Sequence, residues 1–173
     1  MDVMEAIKGR RSIRQFTDEP IEKEKLDRLL EAARWAPSGG NLQKWRFVVV
    51  TEPSQKELVK QFAPGIFAVP TAFIVVCAEV EADANEWKQR LYLADCSIAA
   101  QNIMLAAYEM GIGTCVALSY AKTAVSEILE LPESVEPMLV VTLGYPAEDP
   151  EPPPRFELSE IAFEERYGQE WKR

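Results

Sequence analysis

Arg10-Arg11-Ser12-Ile13-Arg14 places three guanidiniums within five residues of a chain whose formal net charge is −9. Run extended, such a stretch alternates its side chains, so Arg10, Ser12 and Arg14 share one edge while Arg11 and Ile13 take the other. Two planar forks and a hydroxyl on one edge form a clamp for a phosphate. The same residues also suit ordinary surface pairing with Asp18, Glu19 or Glu22, at roughly 0–1 kcal/mol per pair. The pentapeptide alone leaves both readings open.

Composition narrows the setting. At 173 residues, 47% apolar and 27% charged, the chain is expected to form one globular domain over 1–173, long enough to bury roughly 70% of its unfolded surface. Twenty-eight acidic residues against nineteen basic ones argue against a nucleic-acid or anionic-membrane surface, both of which need a positive field. An anion must be gripped locally. The opening Met1-Asp2-Val3-Met4-Glu5 lacks the basic and apolar regions of a signal peptide, and no stretch reaches the ~18 apolar residues of a spanning helix, so a cytoplasmic location is expected. Cys77, Cys96 and Cys115 are odd in number and widely spaced, and histidine is absent. A metal site is therefore not expected, and the commonest general base is missing. Any enzymatic chemistry would fall to a bound cofactor.

Working outward from the arginines, Asp2 is an expected N-cap for a short helix carrying Val3, Met4 and Ile7 inward, stopped at Gly9. After the turn Thr17-Asp18-Glu19-Pro20, the spacing of Leu26, Leu29, Leu30, Ala33 and Trp35 predicts an amphipathic helix over 22–35, ended by Pro37. The loop Ala36-Pro37-Ser38-Gly39-Gly40-Asn41-Leu42-Gln43-Lys44-Trp45 then enters a strand at 46–51. Its small residues let a flat ligand approach the backbone, and Asn41 and Gln43 offer paired donors and acceptors; as turn residues they also suit an ordinary connection. Further strands are predicted at 72–79, 115–119 and 138–143, with short helices at 54–62 and 123–131. Residues 84–110 form the longest helical pattern. From Leu91 to Ala107 its only charge is Asp95, so it must be covered on nearly every side, which points to a second copy of the chain. Asp95 is read as a hydrogen-bonded helix residue, and Gly111 and Gly113 as a helix cap and turn. Five prolines between Pro146 and Pro154 predict a stiff arm of about 3.1 Å per residue, leading into an apolar tail with Phe156, Leu158, Ile161 and Trp171.

Arg-Arg-Ser-x-Arg near the start, then Ala-Pro-Ser-x-x-Asn-x-Gln-x-Trp-x-Phe entering a strand, resembles the FMN-dependent nitroreductase family. The resemblance continues at Asp95–Asn102, Gly111–Thr114, Leu143–Pro146 and Arg155. It implies an α+β, three-layer fold with a mainly antiparallel sheet flanked by helices, in an intertwined homodimer whose 146–173 arm wraps the partner. It further implies FMN held by Arg10, Arg11, Ser12, Arg14 and Arg155, with Pro37, Ser38 and Gly39 closing over the ring from the other subunit. Asn41 and Gln43 would add polar contacts, and Leu118 and Ser119 would contribute backbone N–H groups near N5 and O4. The activity implied is NADH- or NADPH-dependent reduction of a nitroaromatic, quinone or related small aromatic acceptor, with no catalytic side chain because the flavin carries the hydride. Flavin-destroying, dehalogenating and azoline-oxidising members, and a non-catalytic flavin module, are the alternatives; the chain looks like a compact member without a long lid. Three positions depart from the pattern. Lys44 stands at a common proline and Gly39 at a common serine, both expected to reshape the loop, while Glu157 stands at a common proline, placing a carboxylate near Arg155.

Overall fold

The computed structural model describes residues 1–171; the last two residues of the expected arm, 172–173, lie outside the described residues. Asp2 caps α1 (Val3–Gly9) through a reciprocal capping box with Glu5. Only Ala6 of this helix is buried, while Val3, Met4 and Ile7, expected to face inward, are exposed. The helix is two turns long and rests on one neighbour, so a single small residue makes the contact and the larger ones face away. Helix α2 (Lys23–Arg34) buries Leu26, Leu29 and Ala33. Trp35, expected on that face, stands beyond the last helical residue and is 72% exposed.

A 3-10 turn at Gly39–Asn41 leads into β1 (Trp45–Val50), followed by α3 (Pro53–Gln61). The apolar run at 72–79 is β2 (Ala72–Glu79), seven of whose eight residues are buried. Then come α4 (Glu86–Glu109), β3 (Gly113–Ala117), α5 (Lys122–Ile128), β4 (Val135–Gly144) and α6 (Leu158–Ile161). Gly111 takes a left-handed φ of 73° past the end of α4, as a helix C-terminus requires. Gly113, expected in the turn, instead opens β3, where a Cβ would fall 2.8 Å from Ile13. Two residues of the predicted 115–119 strand, Leu118 and Ser119, therefore lie past its end.

The four strands form one antiparallel sheet in the order β1-β2-β4-β3. Pro137 lies inside β4, earlier than the predicted start at 138. It is accommodated because the register shifts between Val76 and Cys77, a bulge at which a missing N–H costs little. Helices α2 and α4 cover one face around Leu29, Ile74, Ile103 and Val141; α3 and α5 cover the other around Val59, Phe73, Val125 and Val140. This is the expected α+β, three-layer arrangement.

Helix α4 is buried along Tyr92, Asp95, Cys96, Ala99, Ile103 and Ala107. Its opposite face leaves Leu93 and Ile98 about two-fifths exposed, with Ala94 and Ser97 between them exposed as well. The tail shows the same incompleteness: Phe156, Leu158, Ile161 and Trp171 are all exposed on this chain.

Candidate functional site

The arginine stretch lies along the free edge of β3. Ser12 bridges Thr114 in parallel, the Ile13 N–H donates to the Thr114 carbonyl at 2.9 Å, and Ile13 is buried against Gly113. That anchoring leaves Ser12 half-buried and Arg14 exposed on the outer side. Glu148, from the segment after β4, clamps the stretch: its Oε1 accepts from the N–H groups of Arg14, at 2.5 Å, and Gln15, at 3.1 Å. Arg11 does otherwise. Its guanidinium donates to the carbonyls of Lys8, Gly9 and Arg10, satisfying the open C-terminus of α1. Arg10 lines a cleft of about 400 Å³ with Tyr108, Thr114 and Glu148. The Thr114 hydroxyl in its wall is buried with no hydrogen-bond partner among the described residues.

The electrostatic contrast among the arginines is sharp. Arg28, Arg34, Arg46 and Arg90 each hold a carboxylate, whereas among the described residues Arg10, Arg11, Arg14 and Arg155 form no ion pair. Glu22, one of the partners foreseen for the arginines, is engaged elsewhere. It accepts from the Tyr145 hydroxyl at 2.7 Å and pairs with Lys25 at 3.1 Å. These contacts, the hydroxyl foremost, hold its carboxyl at about 2.

The Pro37–Gln43 loop is built by local bonds and two anchors. The Gln43 N–H donates to Ser38 Oγ at 3.1 Å, and the Gly39 N–H is shared by the two carboxylate oxygens of Asp95 on α4, at 3.2 and 3.3 Å. A Cβ on residue 39 would fall 2.5 Å from Leu91 Cδ1, so a larger residue there would require the Leu91 side chain to shift. Lys44 pairs with Glu81 at 3.1 Å, and Glu81 also accepts from the buried Tyr92 hydroxyl, so the exit of the loop is tied to α4.

Those contacts, led by the Tyr92 hydroxyl, hold Glu81 at about 2 and push the Tyr92 phenol up to about 12. A carboxylate with a lowered folded pKa stabilises above its unfolded value of 4.5 and loses that contribution as pH falls toward the folded value. The urea midpoint is therefore expected to drop between about pH 4.5 and 2, and the gap between wild type and Glu81→Gln to close over that interval. A gap constant with pH would rule out this role for Glu81.

The remaining groups disperse. Leu118 and Ser119 are exposed past the end of β3, and the Ser119 carbonyl accepts from the Gly65 N–H at 3.1 Å. Arg155 is exposed on the arm, its guanidinium donating to the Pro154 carbonyl at 3.2 Å. Glu157 caps α6 in a box with Glu160 and makes no ion pair with Arg155 among the described residues. Thr114 and Leu118 lie four residues apart along the strand line, about 13 Å. The Pro37–Gln43 loop lies beyond the opposite sheet edge, three strand spacings or about 14 Å away. Along α4 the distance is larger, since Asp95 beneath the loop and Tyr108 against Gly9 are separated by thirteen residues, about 20 Å. On one chain the loop and the arginine edge therefore lie toward opposite edges of the sheet and line separate pockets.

Sequence reading missed Glu148, Leu91 and the Lys44–Glu81–Tyr92 chain. A lone acid in an apolar helix was a visible signal for Asp95; nothing local marked the others.

The comparisons with known proteins agree with this architecture. The model of the Nitroreductase family matches residues 7–71 and 62–145. A Methanothermobacter thermautotrophicus protein, provisionally named an NADH dehydrogenase/NAD(P)H nitroreductase, is 38% identical over 87% of this chain and 80% of its own length. The NADPH-flavin oxidoreductase of Vibrio harveyi is 32% identical over 96% of this chain and 75% of its own. Among solved structures, a nitroreductase family protein from Clostridium difficile superposes with a TM-score of 0.84 at 32% identity, covering 96% of this chain and 99% of that one. With matches of this extent on a sheet and helix arrangement of the same kind, the chain belongs to the nitroreductase family.

Proposed function

We propose that this chain is an FMN-dependent oxidoreductase that uses NADH or NADPH to reduce nitroaromatic, quinone or related small aromatic acceptors, and that it works as a homodimer. The observation that carries the reading is the pair Arg10 and Arg14, whose guanidiniums form no ion pair among the described residues and which flank Ser12 on the free edge of β3, Arg10 in the cleft with Thr114 and Arg14 at the neighbouring pocket with Cys115. The residues present suit FMN. Unpaired guanidiniums and a hydroxyl match a phosphate, the exposed backbone at Leu118–Ser119 stands about 13 Å farther along, and the Thr114 hydroxyl awaits a partner.

Bound FMN would supply two-electron hydride chemistry. The chain's own part is to bind, orient and exclude. Arg10, Ser12 and Arg14 hold the phosphate and the pyrimidine side, where positive charge favours the reduced form; Arg155 joins them from the partner's arm. Arg11 supports Arg10 by closing the end of α1. Leu118 and Ser119 present backbone donors to the ring edge, and Pro37, Ser38 and Gly39 of the second copy cover the ring, with Asn41 and Gln43 adding polar contacts. Burial pushes the Cys77 and Cys96 thiols up to about 12, so neither is a ready nucleophile.

A second copy is supported by the separation of loop and arginine edge within one chain, by the uncovered Leu93–Ile98 face of α4, and by the exposed apolar side chains of the arm over 146–171. The domain is read as one unit, 1–173, with 146–173 as that arm. Among the described residues no helix is long and apolar enough to cross a membrane; a cytoplasmic setting is part of the proposal, in keeping with three free cysteines. The test is direct. Purified protein is expected to be yellow, with a flavin absorbance band bleached by NADH or NADPH and restored by a quinone or nitroaromatic; a colourless protein that cannot be loaded with FMN refutes the reading.

A further inference from the structure

We propose that Asp95 is the positioning residue of the site: its charged bond to the Gly39 N–H holds the Pro37–Gln43 loop, before any ligand arrives, in the shape that covers the flavin. The inference rests on the preceding reading for the identity of the ligand.

Asp95 is the only charge between Leu91 and Ala107 and is 4% exposed. A carboxylate taken out of water is costly unless it is paired, yet among the described residues Asp95 makes no ion pair. Its recorded side-chain partner is the Gly39 N–H, which lies within 3.3 Å of both oxygens. An apolar residue at 95 would suit the helix but would leave the amide without its acceptor.

The loop needs such a hold. Gly40, Asn41 and Gln43 all take left-handed φ values, 56°, 54° and 51°. Glycine does so freely, but Asn41 and Gln43 do not, and residues held there persist only where the surroundings over-determine them. The bonds Asn41 N–H to Ser38 carbonyl, Leu42 N–H to Gly39 carbonyl and Gln43 N–H to Ser38 Oγ shape the turn from within and attach it to nothing else. Attachment to the body comes from Asp95 and Leu91 at Gly39, from the Arg46 guanidinium, which donates to the Gln43 carbonyl at 3.2 Å, and from Lys44, whose side chain pairs with Glu81 and whose carbonyl accepts from the Glu79 N–H at 2.8 Å. Of these, the Asp95 bond is the one at the entry of the loop, ahead of all three left-handed residues. The result is a loop whose exposed Pro37, Asn41 and Gln43 are presented in one arrangement, so little ordering remains when a ring docks. Asp95 also lies between Leu93 and Ile98 on α4, so the residue that fixes the cover belongs to the helix whose outer face is proposed to meet the second copy.

The test compares wild type, Asp95→Ala and Asp95→Asn by FMN titration and by amide hydrogen exchange of residues 39–43 in the FMN-free protein. Asp95→Ala is expected to raise the FMN Kd about tenfold, the consequence of one lost charge-assisted bond, and to speed exchange across the loop. Asp95→Asn, which keeps an acceptor but not the charge, is expected to fall between the two. Arg10→Ala serves as a control, weakening FMN without altering loop exchange. Wild-type affinity and wild-type exchange in both Asp95 variants overturn the proposal, and so does weakened FMN binding with unchanged exchange. If Asp95→Ala does not fold, the isosteric Asp95→Asn decides alone, and its equality with wild type in both measurements overturns the proposal. A wild-type chain that binds no FMN refutes the preceding reading and the flavin half of this one, and loop exchange then decides the anchor.

Discussion

Replacing Arg10 and Arg14 together with alanine is expected to weaken FMN binding at least about 100-fold, read by titration of flavin fluorescence. Hydrogen bonds to charged groups contribute about 1.5–3 kcal/mol each, so two guanidiniums lost from a phosphate remove about 3 kcal/mol or more, and each 1.4 kcal/mol is about a tenfold change in Kd. Neither guanidinium pairs with a carboxylate among the described residues, and the Glu148 carboxylate is held by backbone N–H groups that alanine keeps. Their removal therefore leaves no acid unpaired, and the urea midpoint of the FMN-free protein is expected to stay close to that of wild type. That separation distinguishes a ligand-binding role from a structural one. Lysine at both positions restores charge without the planar fork and is expected to recover only part of the affinity. An unchanged Kd in the double alanine variant would exclude the arginine edge as the phosphate site.

Placing aspartate at both Leu93 and Ile98 is expected to turn the proposed dimer into a monomer at micromolar concentration and, with it, to abolish flavin retention. The two side chains are 42% and 40% exposed on the single chain, so the substitutions leave the buried face of α4 intact and the monomer should still fold. In an assembly that closes over this face, each new carboxylate must be desolvated, at a cost of several kcal/mol per ion, and it faces its symmetry mate. Light scattering reports the mass and absorbance the flavin. The two losses should coincide if, as proposed, the arginine edge and the Pro37–Gln43 loop of one site come from different copies. A monomeric variant that still binds FMN tightly would show that one chain completes the site.

Much of the architecture was legible in local patterns. The run Ala72–Glu79 was read with its observed bounds because an unbroken apolar segment of eight residues suits a strand covered on both faces. Helix α4 was found nearly to its ends because nothing between Leu91 and Ala107 except Asp95 resists burial. Asp2 announced its cap, since that hydrogen bond closes within three residues. The errors share a different cause. The burial of Val3, Met4, Ile7 and Trp35 depends on which neighbour the rest of the fold supplies. The bulge that admits Pro137 depends on the register of β2, sixty residues earlier.

The same division runs through the site. Residue types alone marked the arginines near the start of an acidic chain as a candidate anion site, left no histidine to act as a base, and placed a small, flexible loop before the first strand. Only the tertiary structure decided that Arg10 and Arg14 stay free while Glu22 goes to Tyr145, that Arg11 serves a helix end, and that Asp95 holds Gly39 across fifty-six residues of chain. Periodicity and capping act between residues a few positions apart, so one strand of text carries them. Pairing of charges and anchoring of a strained loop are settled by distance in space, which the packing of α4 on the sheet has to set first.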